Sequence, residues 1–426
     1  MAALRSPALA IYLLASRLAG PVAGQILKRR LARGKEHPER LGERQGRAGR
    51  PHPGGRLIWM HGASVGEAMS MLPLIDALRA KSNASILVTT GTVTSAQRLD
   101  GLLPDAAFHQ FVPVDTGAAV RRFLDHWRPD MAIWVESEIW PRLIYETVQR
   151  GIPAALINAR LSQASIRRWH KVPAMARNLF GAFRTVLTQD METLERLNLL
   201  GVSARFAGNL KALVPDAPVD QQELERLRSA LGAKHAWLAA STHSGEEEIV
   251  IDAQKHLLES ARPPLLILAP RHPERGDDIA GLLAKSGLVT ARRSRQELPD
   301  SETQVFLADT MGEMGLWYRL APATFVGGSL VDKGGHTPFE PVRLHSAVLH
   351  GPHTANFAPA YAALSAEEAA LEVRDAEAMA NAVHHLLEDV PARREMASRA
   401  LNVNDLLKPN VESMAEELLA LMETGR

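Results

Sequence analysis

The 426-residue chain contains no cysteine. Disulfides, thiolate metal sites and a cysteine nucleophile are therefore excluded, and a reducing compartment is compatible with the composition. Also absent are the G-x-x-x-x-G-K-[ST] phosphate loop, the G-x-G-x-x-G dinucleotide fingerprint, the H-E-x-x-H metallopeptidase helix and the EF-hand loop. With them go the chemistries that those spacings carry. No Asp-x-Asp pair is present to clamp a metal diphosphate, and no repeat of 20–50 residues is visible.

Net charge is nearly absent too, with 49 Lys+Arg against 48 Asp+Glu, a balance of +1. That sum hides a split. Residues 1–56 carry 12 basic and 3 acidic residues, net +9, and the remaining 370 carry 37 and 45, net −8. Such an asymmetry suggests a surface-binding arm on a soluble body. Anionic membrane lipid is the expected partner of the arm, and no nucleic acid is expected. With 46% hydrophobic and 23% charged residues the chain is globular, and its length suits two core-bearing domains.

Residues 6–27 form an apolar stretch interrupted by Arg17, Gly20 and Pro21, with its dense basic flank, Lys28-Arg29-Arg30, on the far side. A cleavable secretory signal would carry that flank in front. A spanning helix, a helix lying in the membrane interface with Arg17 snorkelling, and a soluble helix packed on the body all accommodate these residues. Membrane association is the favoured expectation. Positive charge after the segment would keep the body on the cytoplasmic side.

From Arg56 the chain alternates apolar runs with helical stretches. Runs at 56–60, 85–89, 108–112, 131–135, 154–157 and 185–187 read as strands, and so do 236–240, 265–269, 304–307, 324–326 and 347–349. The alternation predicts α/β architecture with parallel sheets covered on both faces. A proline-bearing linker at 211–219 separates two halves. The expected organisation is a membrane-anchoring helix and basic flank at 1–30, an α/β domain at 31–213 and a second at 214–426. The last helices are able to pack back on the amino-terminal half. Open α/β folds bind ligands at the carboxyl ends of their strands, so the informative residues should follow strands.

They do. Gly62-Ala63-Ser64-Val65-Gly66 sits between a strand and a helix, the context of a hydrolase nucleophile elbow. Ser64 would be the nucleophile, with His243, His336, His345 or His353 completing a triad. Against this, an elbow normally follows several strands of its sheet, and this one follows the first. Glu67, in the first turn of that helix, reads either as a carboxylate favoured by the helix dipole or as a general base at the mouth of a cleft. Glu136 and Glu138 flank a strand end beside Trp134 and Trp140, and Arg160 with Ser162 follows the next strand. These residues suit a hydroxyl-binding face. In the second half Pro270-Arg271 leaves a strand, and an arginine fork there suits phosphate. Thr310 is an expected N-cap. Paired glycines at 327–328 and 334–335 allow close backbone approach, and a helix entered at Thr337-Pro338 would offer N–H groups to an anion, with Glu340 placed for ribose hydroxyls. Together these strand exits point to a nucleotide.

The ordered set HGASVGE (61–67), ESEIWP (136–141), NARLS (158–162), GNLK (208–211), STHSGEE (241–247), PRHPER (270–275), DTMGE (309–313), FVGGSL (325–330), GGHTPFEP (334–341) and GPHTANF (351–357) strongly resembles the 3-deoxy-D-manno-octulosonic acid (Kdo) transferases. The resemblance covers nearly the whole chain. It implies a GT-B fold, two Rossmann-like domains facing each other across a cleft, with a membrane-associated amino-terminal helix. The implied enzyme is an inverting glycosyltransferase that moves Kdo from CMP-Kdo to a lipid A precursor in lipopolysaccharide synthesis, at the cytoplasmic face of the inner membrane. It would use no metal or other cofactor. The family's general base falls on Glu67. Its CMP contacts fall on Pro270, Arg271, Gly312, Glu313, Met314, Thr337, Pro338, Phe339 and Glu340, while Glu136, Glu138 and Arg160 are acceptor-side candidates. Where the family more often carries Asn-Pro-Leu-Glu, this chain has Thr337-Pro338-Phe339-Glu340, which keeps a capping oxygen and loses an amide. Gly62, on which the elbow pattern depends, is not a hallmark of the family.

Overall fold

The computed structural model describes residues 6–136, 138–214 and 219–424. The linker expected at 211–219 lies partly outside them, and Ser137 of the 136–141 motif lies wholly outside. The chain divides into two compact units, Met1–Val214 with Lys408–Arg426, and Pro215–Leu407.

The first unit is built on a parallel sheet of β1 (Leu57–His61), β2 (Ser85–Thr90), β3 (Ala107–Phe111), β4 (Met131–Val135), β5 (Ala154–Ala159), β6 (Thr185–Thr188) and β7 (Arg205–Phe206). Their order is β3-β2-β1-β4-β5-β6-β7. All five residues of β1 and of β4 are buried, as expected where helices cover both faces and each residue, whichever way it points, meets apolar neighbours. Leu57 and Trp59 pack in one core with Phe123 and Trp134, and Ile58 and Met60 in the other with Met71 and Leu74. Trp59 contacts Phe123 and Trp134 with ring centroids 4.9 Å away in each case. The closing helix Val411–Thr424 joins the second of these cores through Met414, Ala415, Leu418 and Met422. Lys81 anchors it through Glu412 and Glu416, each at 2.9 Å.

The second unit repeats the plan with β8 (Ala236–Thr242), β9 (Leu265–Pro270), β10 (Thr290–Arg292), β11 (Val305–Leu307), β12 (Ala323–Val326), β13 (Ala347–His350) and β14 (Ala370–Glu372), in the order β10-β11-β9-β8-β12-β13-β14. In each sheet the order of winding reverses once, between β1 and β4 and between β8 and β12. Each reversal opens a crevice at the carboxyl ends of the two strands, where such folds hold ligands.

Three edge strands, β7, β10 and β14, were not expected. They are two or three residues long, too short for an alternation pattern to register. The expected N-cap at Thr310 is corrected: the helix there begins at Met314 with Glu313 at its N-cap, and the Thr310 hydroxyl donates to the Glu313 carboxylate. The helix entered at Thr337-Pro338 is a single turn, Phe339–Arg343, and Thr337 Oγ1 accepts the Phe339 N–H at 3.3 Å.

The apolar start is two helices, Pro7–Leu18 and Gly20–Ala32, bent by 67°. Pro21, without an N–H and with a ring that crowds the preceding turn, accounts for the break. No single helix among the described residues is long and apolar enough to cross a membrane; the bent pair meets that test only when joined. The first helix docks on the body through Leu9, through Tyr12, whose hydroxyl donates to Asp115 at 2.7 Å, and through Ser16, which accepts from Arg142 at 2.6 Å. Ile11, Leu14, Leu18, Val22 and Ile26 remain exposed on the pair.

Candidate active site

At the reversal point of the first sheet, Ser64 caps the helix Val65–Lys81 by accepting the Glu67 N–H at 3.2 Å. Glu67 folds back in turn. Its carboxylate accepts the Ala63 N–H at 2.6 Å and the Ser64 hydroxyl at 3.0 Å. This reciprocal cap satisfies orphan donors of the first turn. The same residue is 7% exposed. Burial, followed by the negative charge of Glu136, pushes its carboxyl up to about 7, against the downward pull of the Ala63 and Ser64 bonds. The cap and the carboxyl raised by burial are thus one side chain.

Glu136 follows β4 across the crevice from β1. It is 5% exposed and in the left-handed backbone region, φ 63°. Lys211 Nζ lies 2.5 Å from its Oε1, and Asn158 Nδ2 donates to the same oxygen at 3.4 Å. Asn158 is itself left-handed, φ 49°, at an irregularity in the pairing of β5 with β6, and its Oδ1 accepts the Leu210 N–H at 2.9 Å. Two non-glycine residues held at positive φ cost about 1–3 kcal/mol each, a cost typically found where a site requires it. Lys211 approaches the helix Val65–Lys81 as well, since a Cβ added to Gly66 would meet its Cε at 3.8 Å. Glu138 is half-buried. Burial raises the pKa of its carboxyl, the Trp140 indole N–H, 2.9 Å away, opposes that, and the charge of Glu136 adds to the rise. Arg160 leaves β5 at the same rim, half-buried.

Lys211 was missed as a site residue. It appears in the sequence as one residue of GNLK, and its pairing with Glu136 spans 75 positions, a contact that no local pattern reports. Ser64, the candidate nucleophile, has its hydroxyl committed to Glu67, and all four candidate histidines belong to the other unit.

In the second unit the reversal point is braced by a residue that was not singled out. Glu246, fully buried, accepts four backbone N–H groups: His243 at 2.9 Å, Gly328 at 2.7 Å, Ser329 at 2.9 Å and Leu330 at 2.8 Å. It ties the exit of β8 to the glycine turn after β12. That turn cannot hold a side chain, because a Cβ on Gly327 would lie 2.6 Å from the Ser241 carbonyl oxygen. Pro270 ends β9, and Arg271 follows it, exposed, with its N–H on the Thr242 carbonyl at 3.0 Å. Arg275 of the same motif is spent elsewhere, as a bidentate partner of buried Glu247 at 2.8 and 3.3 Å.

Gly312, Glu313 and Met314 lie at the start of the helix Met314–Leu320. Gly312 is left-handed, φ 88°, and with Glu313, Glu223, Asp220, Arg293 and Leu316 lines a cavity of about 260 Å³. Burial alone would raise the Glu313 carboxyl, but Arg293 and Thr310 outweigh it and hold the group below its usual value. That segment therefore presents backbone and a neutralised carboxylate. Pro338 and Phe339 are buried, and Thr337 and Glu340 are half-buried. The loop before them, Gly334-Gly335, is clasped by Asn356, whose Nδ2 donates to the carbonyls of Lys333 and Gly335 at 2.9 and 3.3 Å. Among the described residues no three metal-ligating side chains gather to hold a metal ion.

Two seven-stranded parallel sheets, each with one reversal point and a polar cluster at it, give two Rossmann-like units of the GT-B fold class. The fold is shared with the crystal structure of UDP-GlcNAc 2-epimerase from Neisseria meningitidis bound to UDP-GlcNAc, at a TM-score of 0.58 and 12% identity over 87% of this chain and all of that one. Residues 37–214 match the family model of 3-deoxy-D-manno-octulosonic-acid transferase (kdotransferase). The 3-deoxy-D-manno-octulosonic acid transferase of Haemophilus influenzae is 36% identical, covering 88% of this chain and 92% of its own length. That of Rickettsia bellii is 32% identical over 96% and 97%. The chain belongs to the 3-deoxy-D-manno-octulosonic acid transferase family. Neither these likenesses nor the geometry at Ser64 supports a serine hydrolase.

Proposed function

We propose that this enzyme transfers Kdo from CMP-Kdo to a lipid A precursor in lipopolysaccharide biosynthesis, by direct displacement with inversion at the anomeric carbon. One observation carries the reading: Glu67, buried at the reversal point of the first sheet, has its carboxyl raised to about 7. A carboxylate in that range is about half ionised near neutral pH and takes a proton readily. The acceptor hydroxyl loses its proton to Glu67 as it attacks. Glu136 and Lys211, with Glu138 and Arg160 at the rim, orient the acceptor, and the buried Glu136 charge keeps Glu67 basic.

The donor belongs to the second unit, as the Arg271 fork, the glycine turns and the backbone at Gly312–Met314 and Thr337–Glu340 suggest. Protein groups rather than a metal ion meet the charge of the departing CMP phosphate. Glu67→Gln keeps CMP binding and abolishes transfer; full activity in that variant would sink the assignment. Arg271→Ala weakens CMP binding, and an unchanged affinity would remove its phosphate role.

The enzyme works at the cytoplasmic face of the inner membrane, held there by the exposed apolar row Ile11, Leu14, Leu18, Val22 and Ile26 and by the exposed cations Arg17, Lys28, Arg29, Arg33 and Lys35. Apolar side chains beside cations suit a helix lying in an anionic interface, where each cation contributes about 1 kcal/mol. Leu14→Glu with Leu18→Glu should abolish co-sedimentation with phosphatidylglycerol-containing vesicles. Undiminished binding would show that these helices are not the foot.

A further inference from the structure

Two histidines at the reversal point of the second sheet share a hydrogen bond. His243 follows β8 and His336 follows the Gly334-Gly335 loop; their Nε2 atoms are 3.0 Å apart and their ring planes 1° from parallel. A contact that short needs one proton between the two nitrogens, one ring donating and the other accepting. Two imidazolium rings would bring two N–H groups head to head, so the pair is neutral or carries a single charge. Neither Nδ1 has a hydrogen-bond partner among the described residues. Gly328 leaves room beside them, since a Cβ there would lie 3.1 Å from His336 Cδ2 and 3.4 Å from His243 Cδ2.

Two fixed cations, Arg271 and Lys333, lie near the pair. Arg271 and His272 act on both rings and Lys333 on His243, whose ring centroid is 5.8 Å from that of His272. The one carboxylate acting on His243 is Glu246, already engaged by four backbone N–H groups. Burial first, and then the charge of Arg271, lower His336 to about 4; burial lowers His243 too, against the upward pull of Glu246, so the pair is uncharged at neutral pH. It is a cationic pocket with one vacancy for a proton.

We propose that the His243–His336 pair is a proton-accepting receptor for the donor's phosphate, taking up one proton from solvent when the anion binds beside Arg271. The inference rests on the donor site's lying in this unit. In the neutral pair one proton bridges the Nε2 atoms and one sits on the Nδ1 of the accepting ring. The added proton occupies the other Nδ1, so the bound pair carries one positive charge and two free donors. During transfer the bond from the anomeric carbon to the phosphate oxygen breaks and its electron pair stays on that oxygen, taking CMP from one negative charge to two. The acceptor's proton goes to Glu67, and the pair's charge faces the growing phosphate charge where it is worth most.

The test is calorimetry of CMP binding to the full chain in buffers of different ionisation enthalpy. At pH 7 the wild type should take up more protons than His336→Gln or His243→Gln does. CMP should bind His336→Gln about tenfold more weakly at pH 6.5, equivalent to about 1.4 kcal/mol, with the gap closing towards pH 8.5. Proton uptake and affinity unchanged in both variants, each shown folded by its melting transition, would overturn the inference and leave the donor site standing. If CMP fails to bind the wild type, or binds Arg271→Ala as well as it binds the wild type, the donor-site reading itself fails.

Discussion

Glu67 is pulled in opposite directions by its own position. The Ala63 and Ser64 bonds favour its charge, burial and Glu136 oppose it, and burial wins. Two outcomes follow at this scale. The transfer rate should rise with pH through about 7, because only the deprotonated carboxylate accepts a proton, and a rate flat from pH 5.5 to 8.5 would contradict the assignment. The sign of the stability effect also follows. With its folded value raised, the native state holds a proton that the unfolded chain has released, so this group costs stability above pH 7 and nothing below its usual range. Glu67→Gln should therefore melt higher than wild type at pH 8 and match it at pH 4. Lys211→Met should do the reverse, because it strands the buried Glu136 charge, at a cost of about 3–5 kcal/mol, and moves the acid limb of the rate profile upward. Glu67 was legible from sequence as a first-turn carboxylate after a strand. Lys211 and Glu246 were not, because what defines each is a partner far along the chain, Glu136 in one case and the glycine turn after β12 in the other.

The elements were readable where they were long. The buried core strands show up as apolar runs, and Pro141 and Ser162 mark helix starts that the structure contains. The misses were short: the three edge strands, and the register irregularities that turn Asn158 and Ser241 left-handed. Strand order is invisible to periodicity, and the order is what makes β1 and β4, or β8 and β12, adjacent and so gathers Glu67 with Glu136, and His243 with His336, each pair far apart along the chain. Gly327→Ala tests the second crevice at this scale. Its Cβ would meet backbone at 2.6 Å, which has no rotamer by which to yield, so it should destabilise the fold by about 1–3 kcal/mol and weaken CMP binding. A variant with wild-type melting and CMP affinity would show that the turn is not tight.

For the whole molecule, the charge split at residue 56 has a structural meaning finer than a net sum. Of the twelve basic residues at positions 1–56, Arg30, Arg40 and Arg44 pair with buried Glu36 and Glu43, so on the proposed reading the charge offered to a membrane is carried by the cations left exposed along the bent helices. Vesicle binding should accordingly weaken with salt without vanishing, since the apolar row persists when charges are screened. The most direct measurement of the central claim is release of CMP from CMP-Kdo in the presence and absence of a lipid A precursor. Release that depends on the precursor, with one Kdo gained by the lipid for each CMP freed and with both lost in Glu67→Gln, is the predicted result. Release at the same rate without the precursor, or transfer undiminished in Glu67→Gln, would contradict it.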